Sequence, residues 1–197
     1  GVDLVAVLDV GTLLAVVAAV TLVVASVIAL RQDNLKRRLA FSTVSQLSYI
    51  VLGGALATTW GLIGGGAHIV MHAFGKITLF FCAGAIYVAA HKTRVSELNG
   101  IGRSMPVTMT AFLIGTLSII GLPPAGGLWS KWYLAFGAAE SEQLIFVAVL
   151  MLSSLLNIGY LMPIVARGFF LPPPEDDAAR PGIREAPMTC VVPLSLT

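Results

Sequence analysis

Leu62-Ile-Gly-Gly-Gly-Ala-His-Ile-Val-Met-His-Ala-Phe-Gly-Lys-Ile-Thr-Leu-Phe-Phe-Cys-Ala-Gly-Ala-Ile-Tyr-Val-Ala-Ala90 is the stretch that decides how the chain folds. As a helix rising 1.5 Å per residue it is long enough to cross the roughly 30 Å of a bilayer core. Its one permanent charge, Lys76, sits in the middle, about fourteen residues from either end. A lysine at that depth costs roughly 2.5–3.5 kcal/mol on insertion scales. Snorkelling does not relieve the cost, because the surface is roughly 20 Å away along the helix, about three times the reach of a lysine stem.

The rest of the chain has the same character. Hydrophobic residues make up 57% and charged residues 11%, against about a quarter charged in soluble domains. A soluble protein of 197 residues could not hide this much apolar surface. The apolar runs do not alternate as barrel strands do. The fold class is therefore all-α, a polytopic transmembrane helix bundle. The net charge of +2 gives no hint of nucleic-acid binding, and neither Cys82 nor Cys190 suggests a disulfide.

Five spans follow, at about 10–30, 39–57, 62–90, 106–139 and 143–167. The fourth is interrupted by Gly121-Leu-Pro-Pro-Ala-Gly-Gly127, and each of its halves is too short to span alone. Ten of the twelve Lys and Arg residues fall in three polar stretches, 31–38, 91–105 and 167–186. With the fourth span counted once, all three lie on one side. The positive-inside rule assigns that side to the cytoplasm. Lys36, Arg37 and Arg38 read as the cytoplasmic anchor of the second span, and 168–186 as a cytoplasmic polar loop. The chain begins at Gly1 and ends in what reads as the opening of another helix, so it is expected to be a piece of a longer protein.

Two constellations carry chemistry. His68, His72 and Lys76 are spaced four apart, which places them in one row climbing roughly 12 Å along a helix. Histidine exchanges protons near neutral pH, and such a row, bridged by water, can pass protons. A zinc site is the weaker reading, since Ile69 replaces the Glu of H-E-x-x-H and no third ligand is evident. The second constellation is the break at Pro123, Pro124, Gly126 and Gly127, with Lys131 just beyond it. Proline and glycine there interrupt the hydrogen-bond ladder. Irregular backbone survives at membrane depth only against protein or water, and broken helices are where transporters place ion sites. Ser42, Ser45, Gln46 and Ser48 read as interhelical glue. Glu97, Asp176, Asp177 and Glu185 read as solvated loop charges.

Leu35-Lys-Arg-Arg-Leu-Ala-Phe-Ser-Thr-Val-Ser-Gln-Leu-Ser-Tyr49, His72-Ala-Phe-Gly-Lys-Ile-Thr-Leu-Phe-Phe81 and Gly121-Leu-Pro-Pro-Ala-Gly-Gly-Leu-Trp-Ser-Lys131 resemble the proton-conducting antiporter-type subunits. That family is shared by Mrp-type Na+/H+ antiporters and the membrane arm of NADH:quinone oxidoreductase. The Phe81-Cys-Ala-Gly-Ala-Ile-Tyr87 run and the tail look nearest to the D-type members of the Mrp group. The resemblance implies a fourteen-span protein of two inverted repeats, of which this chain is the C-terminal half, one transmembrane domain over 1–197. It implies that Lys76 is the mid-channel lysine, His68 and His72 its relay partners, and Lys131 the terminal lysine.

The expected function is proton translocation within a multisubunit monovalent cation/proton antiporter of a bacterial inner membrane. Its expected partners are the other subunits, protons, with Na+ as the candidate second ion, and lipid. The alternatives are a pumping subunit of NADH:quinone oxidoreductase or of a membrane-bound hydrogenase, and a non-conducting scaffold. No cofactor or metal is expected, and no redox site of the chain's own.

Overall fold

The first helix owes its existence to composition alone. Val10–Arg31 (α1) is apolar along nearly its whole length and ends on the first basic residue. The structure, a computed structural model, describes residues 10–123, 125–173 and 185. Asn34 then accepts a hydrogen bond from Arg37 N at 3.0 Å and starts Leu35–Ala55 (α2). That cap places the helix start at Leu35, inside the charged connector rather than after it. Thr58 does the same for Thr59–Ala90 (α3), accepting from Gly61 N at 3.1 Å, which starts this helix three residues before Leu62. It closes on His91 in the left-handed conformation (φ 54°).

The connector 91–105 is not featureless. It holds a 3-10 turn at Val95–Glu97 and one helical turn at Ile101–Ser104 (α4). The fourth span divides into Pro106–Ile120 (α5) and Gly127–Glu140 (α6), and Leu144–Phe170 (α7) follows. Among the described residues this is an all-helical bundle in which three helices, α1, α3 and α7, are long and apolar enough to cross a membrane, with α5 a shorter apolar helix.

Helix α1 packs on α2 and α7, α2 on α3, α3 on α5 and α6, and α5 and α6 on α7. The interior is layered. One apolar cluster takes Leu35 and Leu39 from α2, Leu79 and Ile86 from α3, Met109 and Phe112 from α5 and Ile164 from α7. A second takes Leu22, Leu52, Leu134, Phe146 and Leu150. Between them along the helices lies a layer of buried polar side chains: Ser26, Ser42, Ser45, Gln46, His68, His72, Lys76, Ser153 and Asn157. The outer faces carry Leu13, Val17, Val20, Ile69, Phe74, Met151 and Leu155, a surface suited to hydrocarbon.

The basic connectors meet at one end of the bundle. Leu35 N donates to Thr93 O (2.9 Å) and Val95 N to Asp33 O (2.7 Å). The Asp33 carboxylate accepts from Ser96 N (3.0 Å) and Ser96 Oγ (2.8 Å). These bonds, the hydroxyl first, hold the Asp33 carboxyl below its ordinary range, helped by the Arg94 and Arg38 charges. Gly100 N donates to Arg167 O (3.0 Å), and Arg167 Nη1 to Asn99 Oδ1 (3.2 Å). At the opposite end Thr58 Oγ1 donates to Gly137 O (3.2 Å).

Two of the charges read from sequence as surface groups lie elsewhere. Arg38 is buried; its Nε donates to Gln32 O (2.7 Å) and its Nη1 to Tyr160 O (3.1 Å). It points inward because Leu35, Arg38, Ser42 and Gln46 share one helical face. Only Lys36, with Nζ 5.0 Å above the Tyr87 ring, and exposed Arg37 fit a surface anchor. Glu185 is no free loop charge either. Its carboxylate accepts from Val107 N (3.0 Å), Thr108 N (3.3 Å) and Thr108 Oγ1, capping the first turn of α5, where exposed N–H groups and the helix dipole favour an anion. Pro124, Asp176, Asp177, Cys190 and all of 168–186 beyond Pro173 except Glu185 lie outside the described residues.

Candidate functional site: a buried two-lysine network

Helix α3 turns His68, His72 and Lys76 inward on one face, and all three are buried. Lys76 Nζ reaches across to α2, donating to Leu39 O (3.1 Å) and Ser42 Oγ (2.7 Å).

Lys131 is held by the break. Helix α5 ends as Gly121 takes φ 85°, with the Gly121 and Leu122 N–H groups both bonded to Leu117 O. The last carbonyls of a helix have no partner within it and carry the negative end of its dipole. Here the Ile119 and Ile120 carbonyl oxygens each accept from Lys131 Nζ at 2.9 Å. The close approach needs glycine. A Cβ on Gly121 would stand 3.2 Å from Lys131 Cδ, and one on Gly127 would overlap the Ser118 carbonyl oxygen. Lys131 Nζ also lies 5.2 Å from the centre of the Tyr49 ring, a cation–π distance. A cavity of about 490 Å³ bordered by Gly121, Lys131, Trp132, Leu150 and Ser154 leaves room beside this residue.

The histidines differ from each other. His68 Nδ1 lies 2.9 Å from Ser130 Oγ and its Nε2 lies 3.0 Å from Gln46 Oε1. Its ring stacks on Tyr49 at 5.2 Å and on His72 at 5.9 Å. His72 Nε2 is buried with no hydrogen-bond partner among the described residues. The row of three therefore exists as a row, but no bond joins His72 to Lys76 among the described contacts.

Helix α7 closes the gap between the lysines instead. Tyr160 OH lies 2.8 Å from Ser42 Oγ and 2.5 Å from the Asn157 amide. The Asn157 orientation that satisfies its neighbours turns the amide oxygen to Lys131 Nζ (3.1 Å) and Gln46 Nε2 (2.8 Å), and its nitrogen donates to Tyr160 OH (2.5 Å) and Ser153 O (3.2 Å); in the opposite orientation the nitrogen would face only donors. Lys76, Ser42, Tyr160, Asn157 and Lys131 thus form an unbroken series at hydrogen-bond separations, with Gln46, His68 and Ser130 as a branch.

The structure places Lys76, His72, His68 and Lys131 in one layer, with the break of Pro123, Gly126 and Gly127 beside Lys131. Sequence reading took Ser42 and Gln46 only as helix glue, and gave Tyr160 and Asn157 no role. An amide or a phenol alone in an apolar span was the available signal for these.

The sequence profile of the family described as NADH:quinone oxidoreductase/Mrp antiporter, TM matches residues 3–157. A curated relative, NADH-quinone oxidoreductase subunit N of Desulforudis audaxviator, is 41% identical over 186 residues, covering 90% of this chain and 37% of the relative. Among solved structures, a chain of the membrane-bound sulfane sulfur reductase, an archaeal respiratory membrane complex, superposes with a TM-score of 0.86 at 25% identity, covering 94% of this chain and 30% of its own length. A chain of the Mrp complex from Dietzia sp. DQ12-45-1b gives 0.79 at 28% identity, covering 89% of this chain and 35% of its own. The chain thus spans about a third of the length of these proteins.

Proposed function

From the premise that the chain belongs to the NADH:quinone oxidoreductase/Mrp antiporter transmembrane family, we propose that it is the C-terminal part of a proton-translocating subunit, one transmembrane domain that works within a multisubunit membrane complex. Lys76 and Lys131 are its proton-carrying groups, and His68 and His72 line the same path. The observation that carries this reading is the series from Lys76 to Lys131, whose links measure 2.7, 2.8, 2.5 and 3.1 Å with the Asn157 oxygen turned to Lys131 and its nitrogen to Tyr160. Two costly cations at membrane depth, joined by polar side chains rather than by carboxylates, are an arrangement for moving charge. The basic end is proposed to face the cytoplasm of a bacterial inner membrane.

The subunit N relative, at 41% identity over 90% of the chain, favours a place in the membrane arm of an NADH-quinone oxidoreductase. The likeness to a chain of an Mrp complex supports the second reading, a D-type component of a cation/proton antiporter, with Na+ as the candidate counter-ion. In the full-length protein Lys76→Ala is expected to abolish proton translocation in sealed vesicles while the complex still assembles. Lys76→Arg is expected to fail as well, because arginine holds its proton at any working pH. Near-normal acidification by both variants refutes the proposal and leaves a scaffold.

A further inference from the structure

Arg38 is a buried cation for which the series from Lys76 to Lys131 has no use. It is 9% exposed, nearly as buried as Lys76 at 5%. Both of its described bonds end on neutral carbonyl oxygens, Gln32 O at 2.7 Å and Tyr160 O at 3.1 Å. A charge withdrawn from water and bonded to no carboxylate is costly. Gln32 belongs to the connector after α1, so an uncharged donor at position 38 would serve to tie that connector to α7. The charge itself needs a reason.

Its place in the bundle supplies one. Along α2, Arg38 sits between Leu35 and Leu39, which join Ile86, Val95 and Ile164 in the apolar cluster at the basic end. Immediately inward the polar layer begins. Leu39 O and Ser42 Oγ hold Lys76 Nζ. Tyr160, whose carbonyl accepts from Arg38, turns its hydroxyl to Ser42. Arg38 therefore stands between the connector and the groups that hold Lys76. Two further charges face it from the connector side. One is the Asp33 carboxylate, already engaged by Ser96, and the other is Arg167, which adds to the positive field.

A proton passes along a hydrogen-bonded series only where each member can both donate and accept. Hydroxyls and water do both. Arginine has five N–H donors and no acceptor, and it keeps its proton at any working pH. Across a route it interrupts the series and repels the incoming cation, as an arginine does in pores that exclude protons.

We propose that Arg38 is a fixed-charge seal that bars protons from passing between the cytoplasmic connector and Lys76, so that Lys76 exchanges protons with the interior of the layer alone. This rests on the proton-translocation reading and adds the closed side of its path. No covalent step is required of Arg38.

The test is passive proton flux, measured with no driving reaction and no gradient of a second ion. The full-length protein is reconstituted in proteoliposomes, a potassium diffusion potential is imposed with valinomycin, and internal pH is followed with a trapped dye against protein-free vesicles. Arg38→Gln keeps an N–H donor and removes the charge. It is expected to raise the flux roughly tenfold, the scale on which one unit charge acts across a partly desolvated interior. Adding Lys76→Ala to Arg38→Gln is expected to return the flux to the native level, because the opened route ends at Lys76. Should Arg38→Gln not fold, Arg38→Cys in a background without other cysteines puts the charge under chemical control. A trimethylammonium-ethyl methanethiosulfonate adduct restores a permanent cation and is expected to close the leak, whereas its uncharged dimethylbutyl isostere is expected to leave it open. Native flux in folded Arg38→Gln, extra flux that survives Lys76→Ala, or equal flux with the two adducts overturns the inference and leaves Arg38 a strut between the connector and α7. Driven translocation at the native rate in Lys76→Ala overturns the translocation reading instead, and the passive fluxes do not enter that measurement.

Discussion

Replacing Lys131 by methionine separates a structural role from a functional one, because the two sides of its energy nearly cancel. The side chain keeps its length and loses its charge. The Ile119 and Ile120 carbonyl oxygens lose their charged donor. Two hydrogen bonds to a charged group contribute roughly 3–6 kcal/mol together. Against this, a lysine in the membrane interior costs roughly 2.5–3.5 kcal/mol, which methionine does not incur. The net effect lies between a stabilisation of roughly 0.5 and a destabilisation of roughly 3.5 kcal/mol, centred on about 1.5. Proton translocation depends on the ammonium itself and is expected to fall by at least ~100-fold, the low end of what a positioned acid–base group contributes. The full-length Lys131→Met protein would be measured twice, by thermal unfolding in detergent and by dye-monitored acidification in proteoliposomes. A fall of several kcal/mol with translocation intact would mean that Lys131 is a helix cap and no more.

Two further outcomes follow from the loops. Cysteines placed singly at Ser96 and Glu140 should be labelled by an impermeant reagent from opposite faces, Ser96 from the cytoplasmic one; the reverse pattern refutes the orientation and common sidedness the span count. The Asp33 carboxyl, held below its usual value of 3.8, stabilises the junction of the 31–34 and 91–97 segments. Its contribution is complete above the unfolded value and is lost as pH falls through the lower folded one. Hydrogen exchange at the Val95 and Ser96 amides should therefore accelerate below about pH 4, beyond its intrinsic pH dependence, and Asp33→Asn should show the loosened behaviour at neutral pH. Unchanged protection in that variant would remove Asp33 from the junction.

Much of this architecture was legible in the amino-acid order. The spans follow from apolar length, the break from Pro123, Gly126 and Gly127, and the two lysines from being charges with no charged neighbours in sequence. What joins the lysines was not legible. Ser42, Tyr160 and Asn157 come from two helices, and whether their side chains meet depends on how α2 and α7 are rotated against each other, which neither helix encodes alone. Arg38 could have been found, since it lies on the Leu35, Ser42, Gln46 face, but it was read with Lys36 and Arg37 as one run of charge. Glu185 carried no local sign of the helix it caps.

That last contact has a bearing on how the protein is made. The acceptor for the first amides of α5 lies 78 residues further along the chain than Val107, so it is synthesised after both halves of the broken crossing and all of α7. The first half, Pro106–Ile120, therefore leaves the ribosome with its leading N–H groups unmet and its trailing carbonyls bare, and is too short to settle across the bilayer unaided. The second half brings the remedy for the trailing end early, because Lys131 comes within the first turns of α6. The two halves then have to enter the membrane as one unit, with Glu185 closing the leading end only when the crossings around it are already in place.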